Sequence, residues 1–445
     1  MGRVLFGTDG IRGIANRHPM TADLALRLGR AICHVLKARG KKGAILIGKD
    51  TRLSGYMLET ALASGICSMG CEPVLLGPMP TAAVAFLTRQ TLADAGVVVS
   101  ASHNPYEYNG IKVFSSLGFK LSDELEEEIE SFLDLDASSL CSPEEMGKAR
   151  RLEDGIGRYA EFLKGLFPHS LDGMRIVLDC ANGATYRVAP LVFEEIGAET
   201  IACEVDPDGF NINRACGTEH PHRIRDLVKE HKADLGIAFD GDGDRVMLVD
   251  GEGEIFTGDS LMAIIASFLK ERSLLKGDAV VGTVMSNMGL ERFLSEKGMR
   301  LIRTKVGDRY VIEEMLRSDL NLGGERSGHI VLLDHTTTGD GIVTALKVLE
   351  IMVEKGKTLK ELKGSYREYP QVESSVKVRE KRPLTEVPAL LKMMEEVQNM
   401  LGERGRLVVR YSGTEDVLRI MLEGEDEKEL LEYAKGLEEL AKECL

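Results

Sequence analysis

Two short stretches carry the residue types that catalysis needs. Ser102 stands in Ser100-Ala101-Ser102-His103-Asn104-Pro105, directly after the apolar run Val97 to Val99. A loop at that point exposes a hydroxyl and aims backbone N–H groups at a charge. Serine alone is a poor nucleophile and needs a base or electrostatic help. A Ser-His-Asp triad explains it poorly, because sequence neighbours such as Ser102 and His103 rarely face each other. The plainer alternative is a turn cap. The second stretch is Asp240-Gly241-Asp242-Gly243-Asp244-Arg245. Alternate residues of an extended segment share one face, and the two glycines let the backbone turn so that the carboxylates converge. Three hard oxygen donors suit Mg²⁺, which keeps waters or phosphate oxygens in its remaining positions. Without a metal they would repel one another. The stretch begins like a calcium loop and then fails it, with Arg245 where glycine is required and Gly251 where glutamate is required. Arg245 is either a plain ion-pair partner of the carboxylates or a planar clamp for phosphate.

Three weaker loops could serve the same chemistry. Thr8, Asp9, Gly10, Arg12 and Gly13 form a glycine-flanked polar loop, GTDGIRG, able to bring backbone close to a phosphate. Arg410-Tyr411-Ser412-Gly413-Thr414 offers a cation, hydroxyls and a flexible backbone after a strand, a plausible phosphate cradle. Glu325, Ser327 and His329 lie within one glycine-flanked loop. Carboxylate and hydroxyl suit sugar hydroxyls, and the imidazole could move protons. Each of these also reads as an ordinary polar turn.

The elements that must position these loops repeat one plan. Ala44 to Ile47 reads as a strand, Met57 to Met69 as a helix and Cys71 to Leu76 as a strand, before Val97 to Val99 runs into the Ser102 loop. Arg175 to Leu178 opens a second unit, Val188 to Ile196 is helical, and Leu235 to Phe239 runs into the Asp240 loop. Ala279 to Val281 opens a third, Gly289 to Lys297 is helical, and Leu322 leads into Gly324-Glu325-Arg326-Ser327-Gly328-His329. Alternating strands and helices predict α/β layers with mixed, largely parallel sheets. Ligands then gather beyond the carboxyl ends of strands, so three similar units should face one central cleft. Polar segments at Asp134 to Gly155 and Gly251 to Gly258, and the charged, two-proline stretch Tyr366 to Pro383, divide the chain into 1–150, 151–253, 254–365 and 366–445. The last is a smaller α+β unit with a helix near Val387 to Leu401, strands at Leu407 to Tyr411 and Val417 to Leu422, and a terminal helix. That helix turns Leu430, Ala434, Leu437, Ala441 and Cys444 to one side.

Composition narrows the function. The 445 residues carry 56 Lys and Arg against 71 Asp and Glu, a net charge of −15. Such a chain is a poor sequence-independent binder of nucleic acid, which needs concentrated cations; a small phosphorylated ligand needs only a few. The 8 cysteines form no C-x-x-C pair. They read as small buried hydrophobes in a reducing cytoplasm. The first residues show no signal-peptide apolar region, and no apolar run approaches the roughly 20 residues of a membrane span.

Taken together, GTDGIRG, TRLSG at Thr51 to Gly55, ASHNP, NGIK at Asn109 to Lys112, DGDGDR, GERSGH and RYSGTE resemble the α-D-phosphohexomutases, in order and over almost the whole chain. GTDGIRG, CANGATY at Cys180 to Tyr186 and HTTTGDG at His335 to Gly341 resemble most the branch that acts on glucosamine phosphate. The resemblance implies a heart-shaped molecule of four domains, the first three alike and the fourth unrelated. It implies a phosphoserine at Ser102, and Mg²⁺ held by Asp240, Asp242, Asp244 and a Ser102 oxygen. Arg245, Glu325 and Ser327 would hold the sugar and reacting groups, and Arg410, Ser412, Gly413, Thr414 and Arg419 the non-reacting phosphate. Arg12, Lys112 and His329 complete the catalytic set, Lys112 and His329 as acid and base. A hexosamine bisphosphate would serve as primer and intermediate, and a homodimer is allowed. Tyr411 and Asp416 depart from the family pattern in the last motif, and Arg326 stands where Gln is common. Glucose or mannose phosphate is the alternative substrate. A phosphatase using an aspartate nucleophile, or a phosphosugar sensor without turnover, is the rival activity.

Overall fold

The computed structural model describes residues 5–7, 9–135, 140–412 and 416–445. Strands Ala95–Val99, Leu235–Phe239 and Ala279–Thr283 are buried along their whole length. That is why each is a continuous apolar or small-residue run instead of an alternating one. Each lies inside a sheet of its own.

The first sheet contains β1 (Ile11–Ile14), β2 (Ala44–Lys49), β3 (Glu72–Pro78), β4 (Ala95–Val99), β5 (Tyr108–Ser115) and β6 (Arg150–Arg151), in the order β1-β5-β4-β2-β3-β6. The second contains β7 (Arg175–Asp179), β8 (Glu199–Cys203), β9 (Leu235–Phe239), β10 (Val246–Asp250) and β11 (Ile255–Phe256), ordered β11-β10-β9-β7-β8. The third contains β12 (Ala279–Thr283), β13 (Arg300–Thr304), β14 (Leu322–Gly324) and β15 (Ile330–Leu332), ordered β13-β12-β14-β15. The inner pairs are parallel: β4 on β2, β9 on β7 and β14 on β12. In each sheet the next strand returns antiparallel, so β4–β5, β9–β10 and β14–β15 are hairpins. The fold is α/β with mixed, largely parallel sheets. The last sheet is small and wholly antiparallel, β16 (Gln371–Lys377), β17 (Arg406–Tyr411) and β18 (Val417–Glu423) in the order β16-β18-β17, covered by helices Pro388–Leu401 and Glu427–Cys444.

Several elements are hidden in segments that read as polar linkers. Tyr366 to Pro383 contains β16, whose side chains are mostly half-buried or exposed and so lack an apolar signature. Arg150–Arg151 within the first linker adds to the edge of the first sheet beside β3. Gly251 to Gly258 is a hairpin turn plus β11, part of the second sheet, and Gly258 already begins the helix Gly258–Glu271. The helix Ala22–Ala38, capped by the Thr21 hydroxyl, precedes the first expected strand.

One apolar core runs through the first three sheets, from Leu46 and Phe114 through Phe193 and Phe239 to Phe293 and Ile342. The tail has a separate core, which includes Val376, Leu390, Ile420, Leu430 and Leu437. A polar joint connects the two. Asn287 exchanges hydrogen bonds with the Tyr369 backbone, donating Nδ2 to its carbonyl and accepting its N–H, both at 3.0 Å. The Met288 N–H donates to Glu423 Oε1 at 2.9 Å, and Arg406 Nε donates to Glu423 Oε2 at 2.7 Å. Among the described residues no helix is long and apolar enough to cross a membrane.

Asp259 lies within this joint and accepts the Asn287 N–H at 2.7 Å. Burial pushes its carboxyl up to about 7, against the pull of that hydrogen bond and of Arg326. The folded state therefore holds a proton that the unfolded chain releases near pH 4. Stability from this group falls as pH rises from about 4 to about 7. Asp259→Asn keeps the acceptor and removes the titration. It should raise the melting temperature at pH 8 and leave it unchanged near pH 4, as read by thermal denaturation at both pH values.

Candidate active site

The three expected motifs occupy the tips of the three hairpins. Each follows a strand that pairs in parallel on one side and antiparallel on the other, so all three loops leave at carboxyl-terminal edges. Ser102 sits at the first tip and is 1% exposed, not displayed on the surface as its loop position predicts. Its Oγ donates to Asp240 Oδ2 at 2.6 Å, across 138 residues of sequence. His103 does face it, with Nδ1 3.4 Å from Oγ, and burial with Arg245 and Arg12 nearby pulls that imidazole down to about 3. The ring is neutral at ordinary pH.

Asp240, Asp242 and Asp244 do converge. All three are buried, and one carboxylate oxygen of each lies within 4.8 Å of the others. Burial, reinforced by Asp244 and Asp242, pushes Asp240 well up. Burial acts on Asp242 too, but Lys112 and the Thr81 hydroxyl outweigh it and hold that carboxyl below the usual range. Thr81 Oγ1 donates to Asp242 Oδ2 at 2.7 Å. Asp242 Oδ1 and Asp244 Oδ1 are buried with no hydrogen-bond partner among the described residues. Three clustered carboxylates, two orphaned oxygens and an adjacent hydroxyl form a donor set that fits a hard divalent cation such as Mg²⁺.

The repulsion expected among these carboxylates is answered by Lys112. From β5 its Nζ lies 2.9 Å from Asp242, 3.3 Å from Asp244 and 3.2 Å from Asp9. Burial lowers its affinity for a proton, but the three carboxylates more than compensate and hold it charged. Sequence reasoning named Arg12 and His329 but missed Lys120, Asp308 and the pairing role of Asp9 in this network. Asp9 also pairs with Arg12 and Lys120, and Lys120 reaches on to Asp308. Arg12 further reaches the Asn104 side chain at 3.4 Å and the Ala101 carbonyl at 3.5 Å. His329 is buried, its Nε2 3.5 Å from Asp308 and 3.9 Å from Asp244, and neither ring nitrogen has a hydrogen-bond partner among the described residues. Asp9, Arg12 and His329 stood in quoted motifs; Lys120 and Asp308 stood in none.

A cleft of about 580 Å³ opens beside this buried end. His103, Arg245, Glu325, Ser327, Arg410 and Arg419 line it, so all four sheets' units contribute. Arg326 and Glu219 line it as well. The Arg245 backbone N–H donates to Asp240 at 3.2 Å, while its side chain lines the cleft and its guanidinium pairs with Glu219 at 3.5 Å. Glu325 Oε1 accepts the Gly307 N–H at 3.1 Å, and Ser327 Oγ is buried with no partner among the described residues. Arg326 pairs with Glu368 at 2.8 Å. Arg410 on β17 and Arg419 on β18 are directly opposite each other. Burial first, and Arg419 second, lower the Arg410 pKa. Like charges opposite one another destabilise a sheet, and an anion between them would relieve the cost. Ser412 is buried at the end of β17, its N–H bonded to the Val417 carbonyl at 2.8 Å. Gly413 and Thr414 lie outside the described residues.

Lys112→Met should leave Asp242 and Asp244 without their counter-ion. Removing one partner of a buried pair costs about 3–5 kcal/mol. The variant should melt well below wild type in EDTA, and Mg²⁺ should raise its melting temperature by more than it raises that of the wild type. Thermal denaturation with and without Mg²⁺ reads both effects.

Four family models match the chain in order: Phosphoglucomutase/phosphomannomutase alpha/beta/alpha domain I at residues 3–138, domain II at 158–253, domain III at 257–369 and the C-terminal domain at 373–440. A protein of Anaeromyxobacter dehalogenans named phosphoglucosamine mutase is 53% identical, covering 98% of each chain. Another of that name, from Citrifermentans bemidjiense, is 52% identical over 97% of this chain and 96% of its own. A solved structure of a phosphoglucomutase/phosphomannomutase family protein from Burkholderia thailandensis shares the fold, with a TM-score of 0.82 at 24% identity, over 99% of this chain and 97% of that one. With its hairpin-tip loops gathered on one cleft and all four domain models matched in sequence order, the chain belongs to the phosphoglucomutase/phosphomannomutase family of phosphohexomutase enzymes.

Proposed function

We propose that this protein interconverts glucosamine 6-phosphate and glucosamine 1-phosphate through a phosphorylated Ser102 and a bisphosphate intermediate. The observation that carries the reading is the Ser102 Oγ, 2.6 Å from one member of a buried three-carboxylate cluster, at the end of an arginine-lined cleft. The choice of amino sugar rests on the name shared by relatives that are 53% and 52% identical.

Phosphoryl transfer depends on positioning and charge stabilisation more than on covalent chemistry by the protein. In the first half, the bond from phosphorus to Ser102 Oγ breaks and a bond to O1 of glucosamine 6-phosphate forms. His329, with both ring nitrogens unengaged, takes the O1 proton, and Lys112, held charged, gives one to the departing Ser102 oxygen. The bisphosphate turns over in the cleft. In the second half its 6-phosphoryl group passes to Ser102 Oγ, the two proton movements reverse, and glucosamine 1-phosphate leaves. Asp240, Asp242, Asp244 and a Ser102 oxygen would hold Mg²⁺, which supplies charge neutralisation for the transferring group. Arg12 and Arg245 hold the reacting end. Glu325 and Ser327 contact sugar hydroxyls in either orientation. Arg410 and Arg419, with Ser412 and the adjoining Gly413 and Thr414, grip the phosphate that is not reacting. The reading carries with it domains at 1–150, 151–253, 254–365 and 366–445, a hexosamine bisphosphate primer, a cytoplasmic setting for eight free cysteines, and the homodimer the resemblance allows.

Ser102→Ala should abolish turnover of glucosamine 6-phosphate while the protein still folds, and EDTA should abolish wild-type activity until Mg²⁺ is restored. Phosphopeptide mapping should place an acid-stable phosphate on Ser102. A hydroxylamine-labile phosphate on an aspartate would instead establish the phosphatase. A coupled assay run in parallel on glucose and mannose phosphates decides the sugar.

Arg410→Ala should raise KM and lower kcat together, because the phosphate it grips also positions the sugar. The loss in kcat/KM should be at least about 1–2 kcal/mol, the scale of a charge-assisted hydrogen bond. Arg410→Lys should rescue only in part, since an ammonium lacks the planar fork. Steady-state kinetics on the folded variants reads this, and an unchanged kcat/KM in Arg410→Ala removes the tail from substrate binding.

A further inference from the structure

Ser102 holds a left-handed backbone conformation, φ 52°, although it is not glycine. Such a conformation costs free energy and persists only where the surroundings impose it. Two side chains from connecting segments of different α/β units do so here. Arg52, wholly buried, donates Nη2 to the carbonyl oxygens of Ser102 and Asn104, both at 2.8 Å, and Nη1 to the carbonyl of Pro105. Asn213, from the segment between β8 and β9, donates Nδ2 to the same two carbonyls, at 2.9 Å and 3.0 Å. The Ser102 N–H is fixed from the same source. It donates to Ser100 Oγ at 2.9 Å, Ser100 Oγ donates to Asp50 Oδ2 at 2.6 Å, and Arg52 Nε donates to that same oxygen at 2.8 Å.

A plain ion pair with Asp50 would use one edge of the Arg52 guanidinium. Here the remaining donors are spent on carbonyls of a single loop. The clamp also explains a glycine in the carboxylate loop. A Cβ at Gly241 would lie 2.5 Å from the Ser102 carbonyl oxygen and 2.7 Å from Asn213 Nδ2, so this position has room for no side chain. Neither Arg52 nor Asn213 lines the cleft.

We infer that Arg52 and Asn213 are positioning residues for phosphoryl transfer: together they fix the Ser102 backbone so that Oγ faces Asp240. The inference rests on Ser102 as the phosphoryl carrier. Because neither side chain touches the cleft, their loss should act on kcat and spare KM. A displacement of about 1 Å at a reacting atom costs on the order of 100-fold in rate.

The test uses Asn213→Gly and Arg52→Lys in the full chain. Asn213 itself has φ 57°, and glycine adopts that conformation freely, so the variant loses the amide without backbone strain. Lysine at 52 keeps a charge beside Asp50 but cannot span three carbonyls. Wild type and variants are compared for melting temperature, phosphate on Ser102, and kcat and KM with glucosamine 6-phosphate, Mg²⁺ and a hexosamine bisphosphate primer. Each folded variant should lose roughly tenfold or more in kcat, with KM within about twofold of wild type. A smaller fall in kcat in folded Asn213→Gly overturns the inference, as does a raised KM with kcat kept. If one variant does not fold, the other decides. If neither folds, the role is structural and the inference fails. A wild type without phosphate on Ser102 overturns the functional reading and this inference together, whereas a phosphorylated, active wild type with equally active variants overturns the inference alone.

Discussion

A buried concentration of negative charge is the constraint around which the rest of this molecule is arranged. Asp9, Asp240, Asp242, Asp244 and Asp308 meet at the end of one cleft, and each isolated charge in such a place costs several kcal/mol. The cations that answer them come from other elements. Lys112 on β5 of the first sheet serves Asp242 and Asp244 of the second, and Lys120 reaches Asp308 of the third. Counter-ions supplied across sheets make the electrostatic balance depend on the assembly of all three. The apolar core that runs through the same three sheets holds that assembly in place.

The tail obeys a different rule. Its core is its own, and hydrogen bonds through Asn287, Tyr369, Glu423 and Arg406 connect it to the third sheet. It places Arg410 directly opposite Arg419 and points both into the cleft. A sheet selected for stability alone would avoid that pair. Violations of this kind concentrate where a ligand offsets the cost. The whole chain carries a charge of −15, yet the cleft presents Arg245, Arg326, Arg410 and Arg419, so net charge says little about the ligand a site takes.

The backbone of the Ser102 loop shows how conformational strain can be held at a site by neighbours that do not line its cleft. Its left-handed residue is fixed through N–H and carbonyl alike, and both connections lead to the buried Asp50–Arg52 pair. The fixed backbone aims the Cα–Cβ bond so that the hydroxyl can donate to Asp240. Preorganisation of this type is where rigid scaffolds contribute to phosphoryl transfer.

What could be read from the chain was local. Val97 to Val99 and Leu235 to Phe239 are apolar because both faces of their sheets are covered, and the glycine-rich motifs that follow must be loops at strand ends. The carboxylates of DGDGDR come together as expected, though on a turn in which Gly243 has φ 72° and not on one face of an extended strand. Ordered motifs also identified the family before any fold was known. What stayed hidden was pairing between distant residues. Lys112 and Asp242 are 130 residues apart, Ser102 and Asp240 are 138 apart, and Arg52 grips a loop 50 residues downstream. β16 escaped notice because a strand with half-exposed faces has no apolar run to announce it. Periodicity and turn chemistry record what each residue requires of its immediate neighbours. Which carboxylate a buried lysine neutralises, and whether a loop serine is displayed or buried, follow from the convergence of hairpin tips from separate sheets, a geometry to which no single segment holds the key.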